Sequence, residues 1–259
     1  MPVENEHFVA EALRLVEEAE GAGIQLRILG SLAYRIHCPE NLALFDAMER
    51  ALTDIDFAAD KRQTKQIKAF ITDRGYVEDQ RITVSTEGSR YYFEHPETGL
   101  GVDVFLDELY FCHRIPLRDR LGLDRPTITT VDLLLEKMQI VELNMKDVKD
   151  TLVLLLEHPV SASPNGDSPE AIDSSYISGV LADDWGFWYT VTQNLEKVER
   201  YLPDFDAISP EQGAVIRGRL GEIGQAIDAA PKSRKWKMRS KIGAKKKWYQ
   251  DVAAKESSF

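Results

Sequence analysis

Two aspartates, Asp54 and Asp56, stand two positions apart in DIDFAA, a segment that otherwise has the composition of a buried β-strand. Residues i and i+2 of a strand point to the same side, so both carboxylates would share one face of a sheet. Carboxylates this close repel each other unless a cation lies between them. Magnesium takes a few such oxygens and completes its coordination with water and phosphate oxygens. The pair is therefore typical of half of a hard-metal site.

Asp103 is a third acidic residue in an apolar run, between two valines in GVDVFLD. If its strand lies beside that of Asp56, three carboxylates converge, which is enough to hold two metal ions. Upstream, the apolar run QLRILG ends in Gly30 and Ser31, where a strand would turn into a helix capped by Ser31. Glycine allows close backbone approach, and free N–H groups at a helix start bind anions. We therefore expect this turn to hold a triphosphate.

Helical and extended patterns alternate along the part of the chain that would position these residues. Apolar residues with helical spacing over residues 7–20 predict an N-terminal helix. ENLALFDAMERAL predicts a short helix before the Asp54 strand, and KRQTKQIKAFITDRG predicts another after it. Three extended runs follow, YVEDQRITVST, SRYYFEH and GVDVFLD, and turn-forming residues make the last two a predicted hairpin. ELYFCHRIPL predicts an edge strand.

The second half of the chain has a helical pattern. TTVDLLLEKMQIVELN and KDVKDTLVLLLEH predict two helices, the first beginning at Thr129 or Thr130, and Ser209 followed by Pro210 predicts a later helix start. Residues 158–173 are rich in Pro, Ser, Gly and Asp, which indicates a linker. We therefore expect an α+β fold: a mixed sheet flanked by helices over residues 1–157, then a helical domain over residues 174–259.

The composition indicates a globular protein without a membrane segment. Charged residues make up 29% and hydrophobic residues 43% of the chain, which is ordinary for such proteins. No apolar run reaches the roughly 20 residues that span a bilayer, and the acidic N-terminal segment does not resemble a signal peptide. The cysteines, Cys38 and Cys112, are too few for a disulfide framework and are expected to be buried free thiols. These features predict a cytoplasmic location and no membrane partner.

The net charge of -11 is unevenly distributed. Residues 232–247 hold nine basic residues and no acid, which leaves 23 basic against 43 acidic residues elsewhere. Trp236, Trp248 and Tyr249 interleave these charges, so the tail 232–249 has two interpretations. It is either a strip that binds RNA or DNA, with bases stacked on the rings, or a solvated helix whose tryptophans dock on the acidic body. The aromatic run WGFWY near residue 187 is typical of a bundle core.

Gly30-Ser31, then Asp54-x-Asp56, then Asp103 follow the order of motifs in the polymerase-beta-type nucleotidyltransferases, which this sequence resembles. The resemblance implies a nucleotidyltransferase-type sheet and transfer of a nucleoside monophosphate from an NTP to an acceptor hydroxyl, with release of pyrophosphate. It implies that Asp54, Asp56 and Asp103 are catalytic and hold Mg²⁺ or Mn²⁺. The acceptor is left open between RNA, a protein and a small molecule.

The downstream segment LLLEKMQIVELNMKDVKDTLVLL looks like the corresponding segment of the abortive-infection type nucleotidyltransferase toxins. In that family one helix carries a lysine, and the next begins with a basic residue, an aspartate and a second aspartate three positions on. Lys137, Lys146, Asp147 and Asp150 occupy those places. The resemblance implies that Lys137 and Lys146 contact the nucleotide phosphates, that Lys137 is catalytic, and that Asp147 orients a lysine or acts as a base. It also implies an antitoxin protein as a partner.

The resemblance covers residues 24–157 and has two departures. The spacing between Ser31 and Asp54 is longer than usual in the superfamily, so a helical insertion must fit between them. Lys146 stands where arginine is common, and lysine lacks the bidentate fork that grips phosphate. The alternatives to the enzyme are a non-catalytic nucleotidyltransferase-like module that binds a nucleotide or a partner, and a nucleic-acid-binding protein driven by the tail.

Overall fold

The computed structural model describes residues 5–163 and 170–251. The chain forms two compact units, the first made of Met1–His37, Ala51–Leu109 and Ile115–Thr129, and the second of Cys38–Arg50, Tyr110–Arg114 and Thr130–Phe259. The helices of residues 130–157, which the sequence placed with the sheet, thus group with the second unit. Residues 164–169 of the predicted linker lie outside the described part of the chain.

The helices and strands follow the α+β pattern predicted from the sequence. In chain order the helices are α1 (Asn5–Gly21), α2 (Gly30–His37), α3 (Leu42–Ala47), α4 (Thr64–Thr72), α5 (Gln80–Ser85), α6 (Thr130–Met138), α7 (Met145–Glu157), α8 (Ser174–Asp183), α9 (Trp185–Tyr201), α10 (Pro210–Ala229) and α11 (Arg234–Ser240). The strands are β1 (Leu26–Leu29), β2 (Ile55–Ala59), β3 (Val77–Glu78), β4 (Arg90–Glu94), β5 (Gly101–Leu106), β6 (Glu108–Tyr110), β7 (Arg114–Pro116), β8 (Val160–Ser161) and β9 (Ile172–Asp173).

The first unit is built on a five-stranded mixed sheet with the order β1-β2-β5-β4-β3. The central pairing, β2 with β5, is parallel, whereas β1–β2, β4–β5 and β3–β4 are antiparallel. Every residue of β5 is buried, as expected for a strand with neighbours on both sides and apolar residues at most positions. The predicted mixed sheet is therefore confirmed, and Asp103 lies on its middle strand.

Turn chemistry explains where the strand predictions succeeded and where one was wrong. β4 and β5 form the predicted hairpin, closed by a turn in which the Gly99 N–H donates to the His95 carbonyl. The predicted long strand YVEDQRITVST is instead the two-residue β3 followed by α5. The Asp79 side chain accepts a hydrogen bond from the Arg81 N–H and so starts a helix at this point. A local cap thus overrides a β-prone composition.

The second unit is a helical assembly in which α10 packs against α7, α8 and α9. Capping boxes start α7 at Asn144 and α10 at Ser209, and α6 begins at Thr130, in agreement with the predicted helix starts. Trp185 and Phe187 on α9 are buried, whereas Trp188 and Tyr189 are partly exposed, so the aromatic run lies only partly in the core. Both cysteines are buried free thiols, and burial raises the pKa of each.

No helix in the described ranges is long and apolar enough to cross a bilayer. The short strands β6 and β7 pair with each other, so the ELYFCHRIPL segment forms a small separate ribbon rather than a further edge of the main sheet.

His113 is a buried titratable group in the second unit. Its ring stacks on Phe187 with ring centroids 5.0 Å apart, and its Nε2 is hydrogen-bonded to the Thr190 hydroxyl at 2.8 Å. Burial lowers the pKa of His113 from 6.5 to about 4, and the charge of Asp184 opposes this shift only in part. The imidazole is therefore neutral in the folded protein at neutral pH.

This burial predicts a loss of stability on acidification. Below pH 6.5 the unfolded chain binds a proton at His113 that the folded chain binds only near its pKa of about 4, so the unfolded state gains protons first. Between pH 7 and pH 5, His113 should lower the free energy of unfolding by about 2 kcal/mol. Urea unfolding of wild type and His113→Gln at both pH values tests this, since other groups titrate equally in both proteins. The prediction would be wrong if wild type and His113→Gln differed in free energy of unfolding by the same amount at pH 7 and at pH 5.

Candidate functional site

The carboxylates of Asp56 and Asp103 lie side by side at the centre of the main sheet. Asp56 on β2 is the register partner of Asp103 on β5, and partners on adjacent strands point to the same face. Asp54 comes two residues before Asp56, immediately before the first residue of β2. The structure therefore brings the three predicted metal-binding aspartates to one region of the first unit.

The turn at Gly30 brings the backbone against this acidic group. Gly30 follows the last residue of β1 and begins α2, and its φ is +68°, a value that side chains disfavour. A Cβ at this position would overlap the Oδ2 atom of Asp56 and lie 3.1 Å from its Cγ. Ser31, the next residue, is buried. The predicted Gly-Ser turn is therefore packed directly onto Asp56, with the helix starting one residue earlier than expected.

Arg90 is a member of the site that the sequence analysis missed. It lies on β4, next to β5, and its Nε donates to both carboxylate oxygens of Asp103 at 2.7 and 3.0 Å while Nη2 also donates to Oδ2. The side chains of Arg90 and Asp103 are 16% and 1% exposed. The predicted β4–β5 hairpin could have indicated this pair. In such a hairpin the cross-strand neighbours of Asp103 come from SRYYFEH, and Arg90 is the arginine of that segment.

The three carboxylates act together on Arg90. Burial lowers the pKa of the guanidinium, but the hydrogen bonds and charge of Asp103, together with the charges of Asp56 and Asp54, outweigh burial and raise it. With all four groups ionised, this acidic cluster (Asp54, Asp56, Asp103 and Arg90) carries a formal charge of -2. Opposite charges within a few ångströms stabilise a group of carboxylates of this kind.

The donor set of the acidic cluster fits a hard divalent cation. Carboxylate oxygens are the ligands that Mg²⁺ and Mn²⁺ prefer, and Asp54 and Asp56 are both only partly buried. Both oxygens of Asp103 accept hydrogen bonds from Arg90, so a cation at Asp103 would compete with the guanidinium for the same atoms. Asp54 and Asp56 therefore have the donor type that such a cation needs, and Asp103 has it in competition with Arg90. The oxygens of these three described aspartates do not all lie within 4.8 Å of one another.

The predicted lysine site lies in the second unit, where Lys137 is held by three carboxylates. Its Nζ lies 3.1 Å from Glu136, 3.4 Å from Asp147 and 3.6 Å from Asp150, and its side chain is 12% exposed. Burial lowers the pKa of Lys137, but these negative charges overcome burial and raise it. Lys137 is therefore a charged, internally neutralised lysine rather than a solvated one.

Arg50 completes this network. Its Nε and Nη2 each donate to one oxygen of Asp150 at 2.8 Å, and Asp150 is fully buried. Burial raises the pKa of Asp150, although Lys137 and Arg50 pull it down in part. Such a fork-to-fork contact is the geometry in which a buried ion pair best offsets its desolvation.

Lys146 and Asp147 have different surroundings although they are adjacent in sequence. Lys146 is exposed, whereas Asp147 is buried and its carboxylate accepts from the Asn144 N–H at 3.4 Å in the capping box of α7. Asp147 therefore orients Lys137 and starts a helix at the same time. The phosphate contacts expected of Lys137 and Lys146 stay predictions.

Gly30→Ala tests the contact between the turn and Asp56. The substitution adds both backbone strain and an overlap with the carboxylate, so we expect unfolding free energy to fall by about 3 kcal/mol. Gly99→Ala is the matched control, because Gly99 has nearly the same φ of +70° but no atom within 4 Å of an added Cβ. The Gly99→Ala variant should lose about 1 kcal/mol of unfolding free energy. Equal losses in denaturant unfolding would contradict the close approach at Gly30.

Arg90→Met tests whether the guanidinium neutralises the acidic cluster. Removing it leaves a buried carboxylate without its bidentate partner, which should lower the free energy of unfolding by about 3 kcal/mol. Arg62→Met is the control, since the side chain of Arg62 is 78% exposed in its pair with Asp60 and should contribute little. Thermal and urea unfolding measure both. A similar small effect of the two substitutions would contradict the role of Arg90.

Comparison with known proteins finds no similar protein. No protein-family model, no curated protein and no solved structure matches the chain. The function therefore has to be inferred from the residues of the two clusters themselves.

Proposed function

We propose that the protein is a divalent-metal-dependent nucleotidyltransferase, which transfers a nucleoside monophosphate from an NTP to an acceptor hydroxyl and releases pyrophosphate. The observation that supports this most is the register of β2 and β5, which sets Asp56 beside Asp103. Asp54 extends the acidic group, and the Gly30 turn packs against it. Three carboxylates beside a glycine-led helix start are the parts that such a transfer needs.

Each part of the acidic cluster has a distinct task in the proposed reaction. Asp54, Asp56 and Asp103 would hold Mg²⁺ or Mn²⁺, which supplies charge neutralisation at the phosphates and a lowered pKa of the acceptor hydroxyl. Backbone N–H groups at Gly30 and Ser31 bind triphosphate oxygens, because the start of α2 favours negative charge. Asp56 or Asp103 accepts the proton of the acceptor hydroxyl.

Arg90 adds a positive charge within this group of acids. Its planar fork can bind two phosphate oxygens as well as the two oxygens of Asp103. In the proposed enzyme it therefore helps to neutralise charge that develops on the departing pyrophosphate. The phosphate-binding roles of Lys137 and Lys146 rest on the sequence resemblance alone. A toxin with an antitoxin partner is one biological form of this activity.

A second function is favoured by one specific contact. Because Arg90 occupies both oxygens of Asp103, the acidic cluster is partly neutralised by the protein itself. A module that binds a nucleotide or a partner without catalysis would use such internal neutralisation and would need no metal. The two functions differ in their dependence on divalent cations.

Calorimetry with each NTP, in the presence and absence of Mg²⁺, separates the two functions. The enzyme predicts metal-dependent binding that Asp56→Asn weakens at least about tenfold, because one ligand is lost. Asp73→Asn is the control, since Asp73 is an exposed residue at the end of α4. After incubation with labelled NTPs and whole-cell RNA and protein, release of pyrophosphate would show transfer, and the pool that takes up the labelled nucleoside monophosphate would identify the acceptor.

Two results would contradict the enzyme. NTP binding that is indifferent to both Mg²⁺ and Asp56→Asn would support the non-catalytic module. Metal-dependent binding without label in RNA, in protein or in small hydroxyl compounds, with Mn²⁺ as well as Mg²⁺, would show that the transfer does not occur.

A further inference from the structure

Residues 232–247, called here the basic segment, form an exposed, strongly charged surface in the second unit. Nine of these sixteen residues are basic and none is acidic. Most of the cations are exposed: Arg234, Lys235, Lys237, Lys241, Lys245, Lys246 and Lys247. Such a dense positive surface attracts polyanions and repels other positively charged surfaces.

The helix α11 separates the charges of the basic segment from its apolar contacts. Arg234 and Lys237 lie in α11 and Lys241 is its C-cap residue with helical backbone angles, so their spacing of i, i+3 and i+7 places them on one helical face. Trp236 lies on the opposite face, and α11 packs against α8 and α9. The three cations therefore form a row about one helical turn apart that is directed away from these packing contacts.

Few acids neutralise the basic segment from within the protein. In the described ranges its ion pairs are Lys235 with Asp183 at 3.9 Å and Lys247 with Asp251. The other exposed cations make neither an ion pair nor a side-chain hydrogen bond there: Arg234, Lys237, Lys241, Lys245 and Lys246. Their charge is available to a partner.

The two tryptophans of the tail contact aromatic rings of α9, whereas Tyr249 contacts Trp248. Trp236 meets Trp188 edge to face with ring centroids 5.0 Å apart, and Trp248 meets Tyr189 in the same way at 5.0 Å. The Arg239 guanidinium lies 4.7 Å from the Trp185 ring. These contacts occupy part of each tryptophan ring and so reduce what it offers for stacking on unpaired bases, which is the main source of affinity for single strands.

We propose that the basic segment binds the phosphate backbone of double-stranded nucleic acid without reading its base sequence. A surface that offers many cations, and whose tryptophans are partly occupied by contacts with α9, gains most from the polyanion with the highest density of phosphates, which is a duplex. The docked tryptophans act as structural anchors that hold the row of cations in place. This inference rests on the second unit alone and is independent of the proposed transferase activity.

Fluorescence anisotropy with a labelled duplex of about 20 base pairs tests the proposal across a salt series. The triple variant Arg234→Gln, Lys237→Gln, Lys241→Gln removes the cationic row and should weaken binding about 10²-fold near 0.1 M salt. It should also reduce the slope of log affinity against log salt by about 2.7, or 0.9 per lost phosphate contact. Tryptophan fluorescence and thermal unfolding check that the variant keeps its fold.

The control is Lys61→Gln, Lys65→Gln, Arg217→Gln, which removes the same charge from exposed positions elsewhere. It should leave the salt slope unchanged, and equal weakening by both triple variants would overturn the proposal. Tighter binding of a single strand of equal length would also overturn it, because stacking would then contribute. So would binding to vesicles of about one-third phosphatidylserine in preference to the duplex, with exposed Met238 and Ile242 entering the lipid. RNA and DNA duplexes are compared in parallel, and comparable affinities support recognition of the backbone alone.

Discussion

The candidate site depends on the repulsion between two carboxylates that the parallel pairing of β2 and β5 sets side by side. Asp103 lies on the middle strand and is fully buried, so water screens its charge poorly and the repulsion is strong. Strand β4, which pairs with the other side of β5, carries Arg90, and its guanidinium donates hydrogen bonds to both oxygens of Asp103. A planar bidentate contact offsets desolvation better than a point charge does. The acidic cluster is thus compatible with a stable sheet before any ligand binds.

The same contact sets how the site can respond to a ligand. A cation that binds Asp103 must share its oxygens with Arg90, and separating a buried pair is costly. In the proposed enzyme a triphosphate offers the guanidinium replacement oxygens, so cation and nucleotide together bind at a lower cost than a cation alone. The Gly30 turn supports this coupling, because it holds the start of α2 against Asp56, where phosphate and metal would meet. Arg90 therefore links the two binding events through one pair of oxygens.

Sequence patterns predicted those parts of the fold and site that depend on local signals. The Gly-Ser turn, the β4–β5 hairpin and the starts of α6, α7 and α10 follow from residues close in sequence. The sequence offered the pairing of β2 with β5 only as a condition for the three carboxylates to converge, since no local rule fixes the partner of a strand. Arg90 and the α5 helix were missed for opposite reasons. Arg90 acts across a strand pair, whereas Asp79 is a cap within a run whose β-prone residues outweighed it.

The second unit handles its cations in two contrasting ways. Lys137 and Arg50 are buried, and each is matched by carboxylates, as burial of charge requires. The basic segment is exposed and largely unmatched, although like charges a turn apart destabilise a helix. At seven residues α11 is too short to form alone, so Ser233 as its cap and the Trp236 contact with α9 must hold it. The contacts on one face of α11 thus hold the helix in place although the like charges on its other face repel one another and destabilise it. A bound polyanion would relieve that destabilisation, because it neutralises the repulsion that the anchors oppose.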